Sequence, residues 1–172
     1  MATAIQFNAE NMERFKSTVA KYEVPSSALL PTLYLAQEQF GFLSPEVMVY
    51  VASLLGMPPV KVFEAASFYV MFKKKDMGRW CLQVCQNITC TMMGAEKLVN
   101  VVREELGIGV NEVTPDGLFS FVPVQCLGSC DTAPVCQVNE EYVENLDPEK
   151  FRKLIRALKT GQSLSESEAS LS

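Results

Sequence analysis

The chain has 172 residues, of which 48% are hydrophobic and 20% are charged, and it contains six cysteines and no histidine. The missing imidazole excludes Ser-His-Asp and Cys-His catalytic groups, and it excludes histidine-ligated haem, copper and Rieske iron. The net charge of −5 argues against a general nucleic-acid surface, which needs a basic face. No apolar stretch reaches 18 residues and no export signal is recognisable, so we expect no membrane span and a reducing compartment in which disulfides are rare.

Helical signals fill the first 72 residues, which contain no cysteine. Apolar side chains recur at helical spacing over 8–24 and again over 27–40, and the next helix is predicted between Ser44-Pro45-Glu46 and Gly56. A fourth, short helix is predicted from Pro59. The charged segment that follows is typical of a linker, so we predict an N-terminal helical domain over 1–75.

The period of the apolar pattern changes in the second half of the chain. The pattern predicts a strand over 79–84, a helix over 94–106, a strand over 118–124, a hairpin over 135–144 and a final helix after Asp147-Pro148. The fold class is therefore α+β, with a helical bundle before an α/β domain with a small mixed sheet over 76–160. The small, polar and acidic residues 161–172 predict a disordered tail.

Four cysteines form two pairs, Cys85 with Cys90 and Cys126 with Cys130. Two thiolates on one tetrahedral metal lie about 3.8 Å apart, whereas four residues of a strand span about 13 Å and positions i and i+5 of a helix differ by about 140°. We therefore expect a loop at 86–89 to curl the backbone between the first pair. Both pairs follow adjacent predicted strands, so the four sulfurs can meet at one edge of the sheet. Gly128, between the second pair, is expected to allow close backbone approach.

Several uses of four such thiols stay open on spacing alone. A [2Fe–2S] cluster needs two thiolates on each iron, which suits two separated pairs. Structural zinc prefers shorter C-x2-C spacings, a thioredoxin-type dithiol needs a C-x-x-C that the chain lacks, and the cysteine run of bacterial [4Fe–4S] ferredoxins is absent. Cys81 and Cys136, which fall outside the pairs, are predicted to be buried free thiols.

These motifs give the chain a family resemblance over about 8–159. It resembles the thioredoxin-like [2Fe–2S] ferredoxin family that supplies the E subunit of NADH-quinone oxidoreductase. The segments that carry the resemblance are Gly-Phe-Leu-Ser at 41–44, the first cysteine pair with Gly94-Ala95-Glu96, Thr114-Pro115-Asp116-Gly117, and Cys126-Leu127-Gly128-Ser129-Cys130 with Ala133-Pro134. The resemblance implies a thioredoxin-like fold for the second domain, with the cluster ligands at Cys85, Cys90, Cys126 and Cys130.

The resemblance also implies a role in electron transfer and a partner. The partner in such complexes is the F subunit, which binds FMN and NADH, and the cluster exchanges single electrons with that flavin. This chain lacks a Rossmann glycine fingerprint, so we expect it to be inactive as a dehydrogenase alone. The implied location is cytoplasmic, peripheral on the inner face of the membrane, without direct membrane insertion.

Two alternatives to this function stay open. Closely similar subunits serve soluble NAD-dependent hydrogenases, formate dehydrogenases and electron-bifurcating enzymes. A zinc-stabilised assembly module without a redox role is the alternative from another functional class.

Overall fold

The chain divides between Asp76 and Met77 into two units, each with its own hydrophobic core. The structure is a computed structural model, and it describes residues 5–169. None of the helices among these residues is long and apolar enough to cross a membrane.

The first unit is helical, as predicted. Its helices are α1 (Ala9–Val19), a 3-10 turn (Pro25–Ala28), α2 (Leu29–Phe40), α3 (Pro45–Leu55) and α4 (Pro59–Phe68). The Ser44 hydroxyl accepts from the Val47 N–H at 3.3 Å to cap α3, whose last turn ends at Gly56 in the left-handed conformation. The core side chains with no exposed surface are Ala28, Leu33, Ala36, Leu43, Val51, Val62 and Ala66.

The second unit is a four-stranded mixed sheet packed with helices. Its elements are β1 (Trp80–Cys85), α5 (Ile88–Met92), α6 (Ala95–Leu106), β2 (Phe119–Val124), a 3-10 turn (Cys130–Thr132), β3 (Cys136–Val138), β4 (Glu141–Val143), α7 (Pro148–Lys159) and α8 (Leu164–Ala169). The strand order is β2-β1-β3-β4, with β1 parallel to β2 and the other neighbouring strands antiparallel. This arrangement confirms the predicted α+β class with a small mixed sheet.

The turn of the hairpin between β3 and β4 is hydrogen-bonded to the central strand of the sheet. Asn139 adopts φ +56° in the two-residue turn, a conformation that asparagine tolerates. Its side-chain oxygen accepts from the Cys81 N–H at 3.0 Å, and its amide donates to the Arg79 carbonyl at 3.1 Å. The turn is thereby attached to the start of the central strand β1.

Three predicted elements differ from the structure. The first helix ends at Val19, well before Pro25, and residues 86–89 are not a simple loop, because α5 begins at Ile88. The prediction of a disordered tail from residue 161 is wrong for α8, where Leu164 is only 6% exposed. The Ser163 N–H donates to Glu166 at 2.9 Å and the Glu166 N–H donates to Ser163 at 3.4 Å, which is a capping box. Residues 170–172 of the predicted tail lie outside the described residues.

Candidate metal centre

The two cysteine pairs lie where the parallel strands β1 and β2 end. Cys85 is the last residue of β1 and is in register with Val124, the last residue of β2. Cys126 follows two residues later on the neighbouring chain segment. Because the carboxyl ends of parallel strands meet at one edge, the sheet brings the beginnings of both cysteine segments together, as predicted.

A short helix returns the chain from Cys85 to Cys90. The Asn87 side chain accepts from the Ile88 N–H at 2.8 Å, and the Asn87 carbonyl accepts from the Thr91 N–H at 2.9 Å. These bonds start α5, which contains Cys90. Cys85 is 2% exposed and Cys90 is 1% exposed, so the first pair is buried.

The second pair lies on an exposed loop. Cys126 and Cys130 are both exposed, in contrast to the first pair. Gly128 between them adopts φ +78°, and a Cβ atom added there would meet no atom within 4 Å. The glycine is needed for its left-handed backbone conformation.

The sulfur of Cys85 interacts with both pairs. Burial raises the pKa of Cys85, but hydrogen bonds from the Asn87 and Leu127 backbone N–H groups and interactions with the Cys90 and Cys126 thiols outweigh it. The pKa of Cys85 consequently lies below its usual value. The groups that lower this pKa belong to both cysteine segments.

The pKa of Cys90 shifts in the opposite direction and lies above its usual value. Burial raises the pKa of Cys90, the Val135 N–H opposes that change, and the neighbouring Cys85 and Cys130 raise the pKa further. Cys126 contributes to the lowered pKa of Cys85 and the charge of Cys130 to the raised pKa of Cys90, so each buried cysteine lies within electrostatic range of one exposed cysteine.

The two remaining cysteines belong to the interior of the second unit. Cys81 is 3% exposed and Cys136 is fully buried, which confirms the prediction that both are buried. Burial raises the pKa of the Cys136 thiol well above its usual value. Cys136 therefore stays protonated at physiological pH.

The donor set at the sheet edge fits an iron–sulfur cluster. Four thiols with backbone N–H groups directed at sulfur are the all-cysteine environment of such clusters. Within residues 5–169, no group of three or more Cys, Asp or Glu side chains has the arrangement of a ready site for one metal ion.

Fold and site together define the class of protein, a cysteine-rich metal protein built on a small mixed sheet. The chain belongs to the thioredoxin-like [2Fe-2S] ferredoxin family, whose family model matches residues 15–159.

Several relatives are similar over almost the whole chain. NADH-quinone oxidoreductase subunit 2 of Thermus thermophilus is 42% identical over 165 residues, which cover 94% of this chain and 91% of the relative. The E subunit of the NADH-quinone oxidoreductase of Rickettsia bellii is 39% identical over 160 residues, which cover 91% of this chain and 96% of the relative. The predicted resemblance to E subunits is thereby confirmed.

A solved structure shares the fold. A chain of an NAD+-reducing [NiFe]-hydrogenase, crystallised in the H2-reduced state, superposes with a TM-score of 0.71 at 21% identity. The match covers 83% of the present chain and 24% of the hydrogenase chain. The present chain therefore spans about a quarter of the length of that hydrogenase chain.

Proposed function

We propose that this chain is the electron-transfer subunit of an NADH-quinone oxidoreductase, with one [2Fe–2S] cluster held by Cys85, Cys90, Cys126 and Cys130. The observation that carries the proposal is that both cysteine segments leave one edge of the sheet, with Cys85 at the end of β1 in register with Val124 and Cys126 two residues beyond it. Bound there, the cluster supplies one-electron oxidation and reduction. The buried pair binds one iron and the exposed pair binds the other.

The chain's own groups prepare this site for thiolates. The N–H groups of Asn87 and Leu127 donate to Cys85 and that of Val135 donates to Cys90. Such bonds stabilise negative charge on sulfur, and burial of the first pair keeps water from it. Since the chain has no histidine, its ligands are those of a low-potential cluster and not of a Rieske centre.

The exposed pair supports a proposed face for the redox partner. Cys126 and Cys130 are exposed, so a cluster bound there would lie near the surface that a second protein can approach. In the proposed complex that protein is the F subunit, which binds FMN and NADH, and the helical unit over 1–75 contributes to its docking. The complex places this chain in the cytoplasm, on the inner face of the membrane.

An equivalent role in a soluble NAD-reducing enzyme is the second candidate. The similarity in fold to a chain of an NAD+-reducing [NiFe]-hydrogenase is the observation that favours it. Purification of the chain with its native partners distinguishes the two, because a hydrogenase complex contains nickel and a quinone reductase does not. In either complex we expect NADH-ferricyanide reductase activity, and a chain that never copurifies with a flavoprotein contradicts both.

The metal itself is tested on the full chain purified without oxygen. We expect two irons and two sulfides per chain, and an S = 1/2 EPR signal after reduction with dithionite. Stoichiometric zinc without iron, and no EPR signal, would establish the zinc-stabilised module instead.

The ligand assignment is tested by single Cys→Ser substitutions. Replacement of Cys85, Cys90, Cys126 or Cys130 should bleach or shift the visible spectrum and alter the EPR signal, because a thiolate ligand is lost. Cys136→Ala is the matched control, since it removes a thiol that is buried outside the site. A bleached Cys136→Ala variant with unchanged Cys126→Ser would show that the assignment is wrong.

A further inference from the structure

The exposed cysteine loop is fastened by one short segment that follows it in sequence. We call residues 142–146, at the end of β4 and just beyond it, the β4 clamp. Its backbone N–H groups at Asn145 and Leu146 donate to the carbonyls of Thr132 at 2.8 Å and Pro134 at 3.0 Å. The clamp thus holds the chain just after Cys130, and two of its side chains reach further, between the two cysteines.

Tyr142 holds the first half of the loop. Its hydroxyl donates to the Leu127 carbonyl at 2.9 Å. The backbone N–H of the same residue, Leu127, is one of the groups that lower the pKa of Cys85. Leu127 is therefore fixed on one side by the edge strand and donates on the other to a proposed ligand of the opposite pair. Tyr142 connects the sheet edge to the buried sulfur through one residue.

Glu144 holds the second half of the loop. Its Oε1 atom accepts from the Thr132 hydroxyl at 2.7 Å and from the Ser129 hydroxyl at 2.5 Å. The two hydroxyl oxygens are also 2.7 Å apart. Hydrogen bonds from Ser129 and then Thr132 lower the pKa of Glu144, so the carboxylate is charged at neutral pH. Ser129 directly precedes Cys130, which brings this contact next to a proposed ligand.

Neither side chain contributes to the core. Tyr142 is 43% exposed, and Glu144 is also exposed. The residues to which these two side chains are hydrogen-bonded all lie between Cys126 and Ala133. A general role in folding would favour buried, apolar contacts, whereas these contacts are polar and are directed to the loop that carries two proposed ligands.

We propose that Tyr142 and Glu144 are positioning residues for the metal centre. They hold the exposed loop so that Leu127 donates to Cys85 and so that Cys126 and Cys130 face the buried pair. The proposal rests on the proposed function for the identity of the metal, but the fastening of the loop is a property of this chain alone. Loosening of the loop should weaken the Leu127 contact and speed release of the metal.

Tyr142→Phe tests the first contact, because it deletes one hydroxyl and keeps the ring. In the purified full chain, we expect faster hydrogen exchange at the Leu127 amide and faster loss of metal to a chelator. Loss of one neutral hydrogen bond changes the ratio of closed to open conformations of the loop by about twofold to tenfold. The rate of hydrogen exchange and the rate of metal loss should both rise within that range. The midpoint potential should fall, since a weaker N–H contact to Cys85 stabilises the reduced site less.

Tyr22→Phe is the matched control. Tyr22 is 40% exposed, close to the 43% of Tyr142, and lies in the helical unit. It should leave the exchange rate, the chelation rate and the potential unchanged. If Tyr142→Phe behaves like Tyr22→Phe in all three measurements, Tyr142 is not a positioning residue.

Glu144 is tested by comparing Glu144→Gln with Glu144→Ala. Glutamine retains the Oε1 acceptor for both hydroxyls and lacks the charge, so it should keep slow metal release, whereas alanine should lose it. Glu140→Gln, an exposed charge removal in the β3–β4 turn, controls for a general effect of charge on the potential. Equally fast metal release from the glutamine and alanine variants would overturn the positioning role. Metal release from the alanine variant at the wild-type rate would also overturn it.

Hydrogen exchange separates this proposal from the identity of the metal. If the chain contains zinc, the proposed function fails, but exchange at the Leu127 amide still reports whether the clamp fastens the loop. If iron is present and exchange is unchanged in Tyr142→Phe, the clamp proposal fails and the proposed function stands.

Discussion

Gly128 adopts φ +78° in the middle of the exposed cysteine loop, with free space around it. A side chain at this position would fit sterically but would strain the backbone. Gly56, at the end of α3, has φ +61° and equally free surroundings. Both glycines therefore require the left-handed backbone conformation. They lie in different units, and of the two only Gly128 lies between proposed ligands.

We predict that Gly128→Ala and Gly56→Ala cost similar stability and differ in their effect on the metal centre. Each substitution should lower the free energy of unfolding of its unit by about 1–2 kcal/mol, the strain of a left-handed alanine. Gly128→Ala should also alter the EPR line shape and speed chelation, because the strain moves Cys126 and Cys130. Chemical denaturation and EPR spectroscopy check this, and identical spectra for both variants would contradict it.

Spacing was sufficient to predict that the two cysteine pairs follow neighbouring strands and that Cys136 is buried. That the thiols at 85, 90, 126 and 130 hold one cluster stays a prediction. Spacing could not reveal Tyr142 or Glu144, because their contacts depend on the register of the β3–β4 hairpin. No local motif marks an exposed tyrosine as the partner of a carbonyl 15 residues earlier.

The helices α6 and α7 are joined by a charged cluster around Glu105, whose side chain is only 12% exposed. Arg156 donates to Glu105 at 2.8 Å and 3.1 Å, and Arg152 donates to it at 2.9 Å. Hydrogen bonds from Arg156 and then Arg152 lower the pKa of Glu105 to about 2. The two helices that pack together are thereby linked at one carboxylate.

We predict that Glu105→Gln lowers the free energy of unfolding at pH 7 by about 1–2 kcal/mol, between the values for exposed and buried ion pairs. The pKa of Glu105 is lower in the folded than in the unfolded chain, so its contribution is complete above the ordinary value of 4.5 and is lost as the pH falls towards about 2. The difference between wild type and variant should shrink over that range. Urea denaturation at pH 7 and pH 3 measures it.

Glu104→Gln is the control for this prediction. Glu104 pairs with Arg152 at 2.9 Å, but its side chain is 59% exposed. Its loss should cost less than about 0.5 kcal/mol, as for a solvent-screened pair. Equal losses in the two variants would mean that burial of Glu105 does not strengthen its ion pairs.

At the element scale, long periodic segments were predictable and short ones were not. The helices α3, α6 and α7 begin within about one residue of their predicted starts, because each has an apolar stripe and because α3 and α7 also have an N-cap side chain and a proline. α5 and α8 have five and six residues, too few to show a period. The capping box of Ser163 and Glu166 was the signal that could have revealed α8.

The whole molecule consists of two units with separate cores, and all four proposed ligands lie in the second. We predict that a fragment from Met77 onwards retains the metal centre, because the segments that surround the sulfurs and the clamp belong to that unit. Its iron content and EPR signal should match those of the full chain. A fragment that folds, judged by circular dichroism, but binds no metal would show that the helical unit is required.

The fold class was predictable because apolar periods are local properties of the sequence. The sheet order β2-β1-β3-β4 requires knowledge of which distant segments pair. The apolar pattern of the sequence predicted four strands. Only the folded chain shows that β3 lies between β1 and the edge strand β4.

The position of the clamp after both cysteine pairs has a consequence for synthesis of the chain on the ribosome. Proteins emerge from the N-terminus, and helices with local contacts form faster than sheets with distant pairings. The helical unit can therefore fold while the rest is still being translated. The metal centre cannot be completed before Leu146 has emerged from the ribosome. Ribosome-bound chains that end before this residue but already contain all six cysteines have a loop that the clamp does not yet hold. We therefore expect such chains not to retain metal.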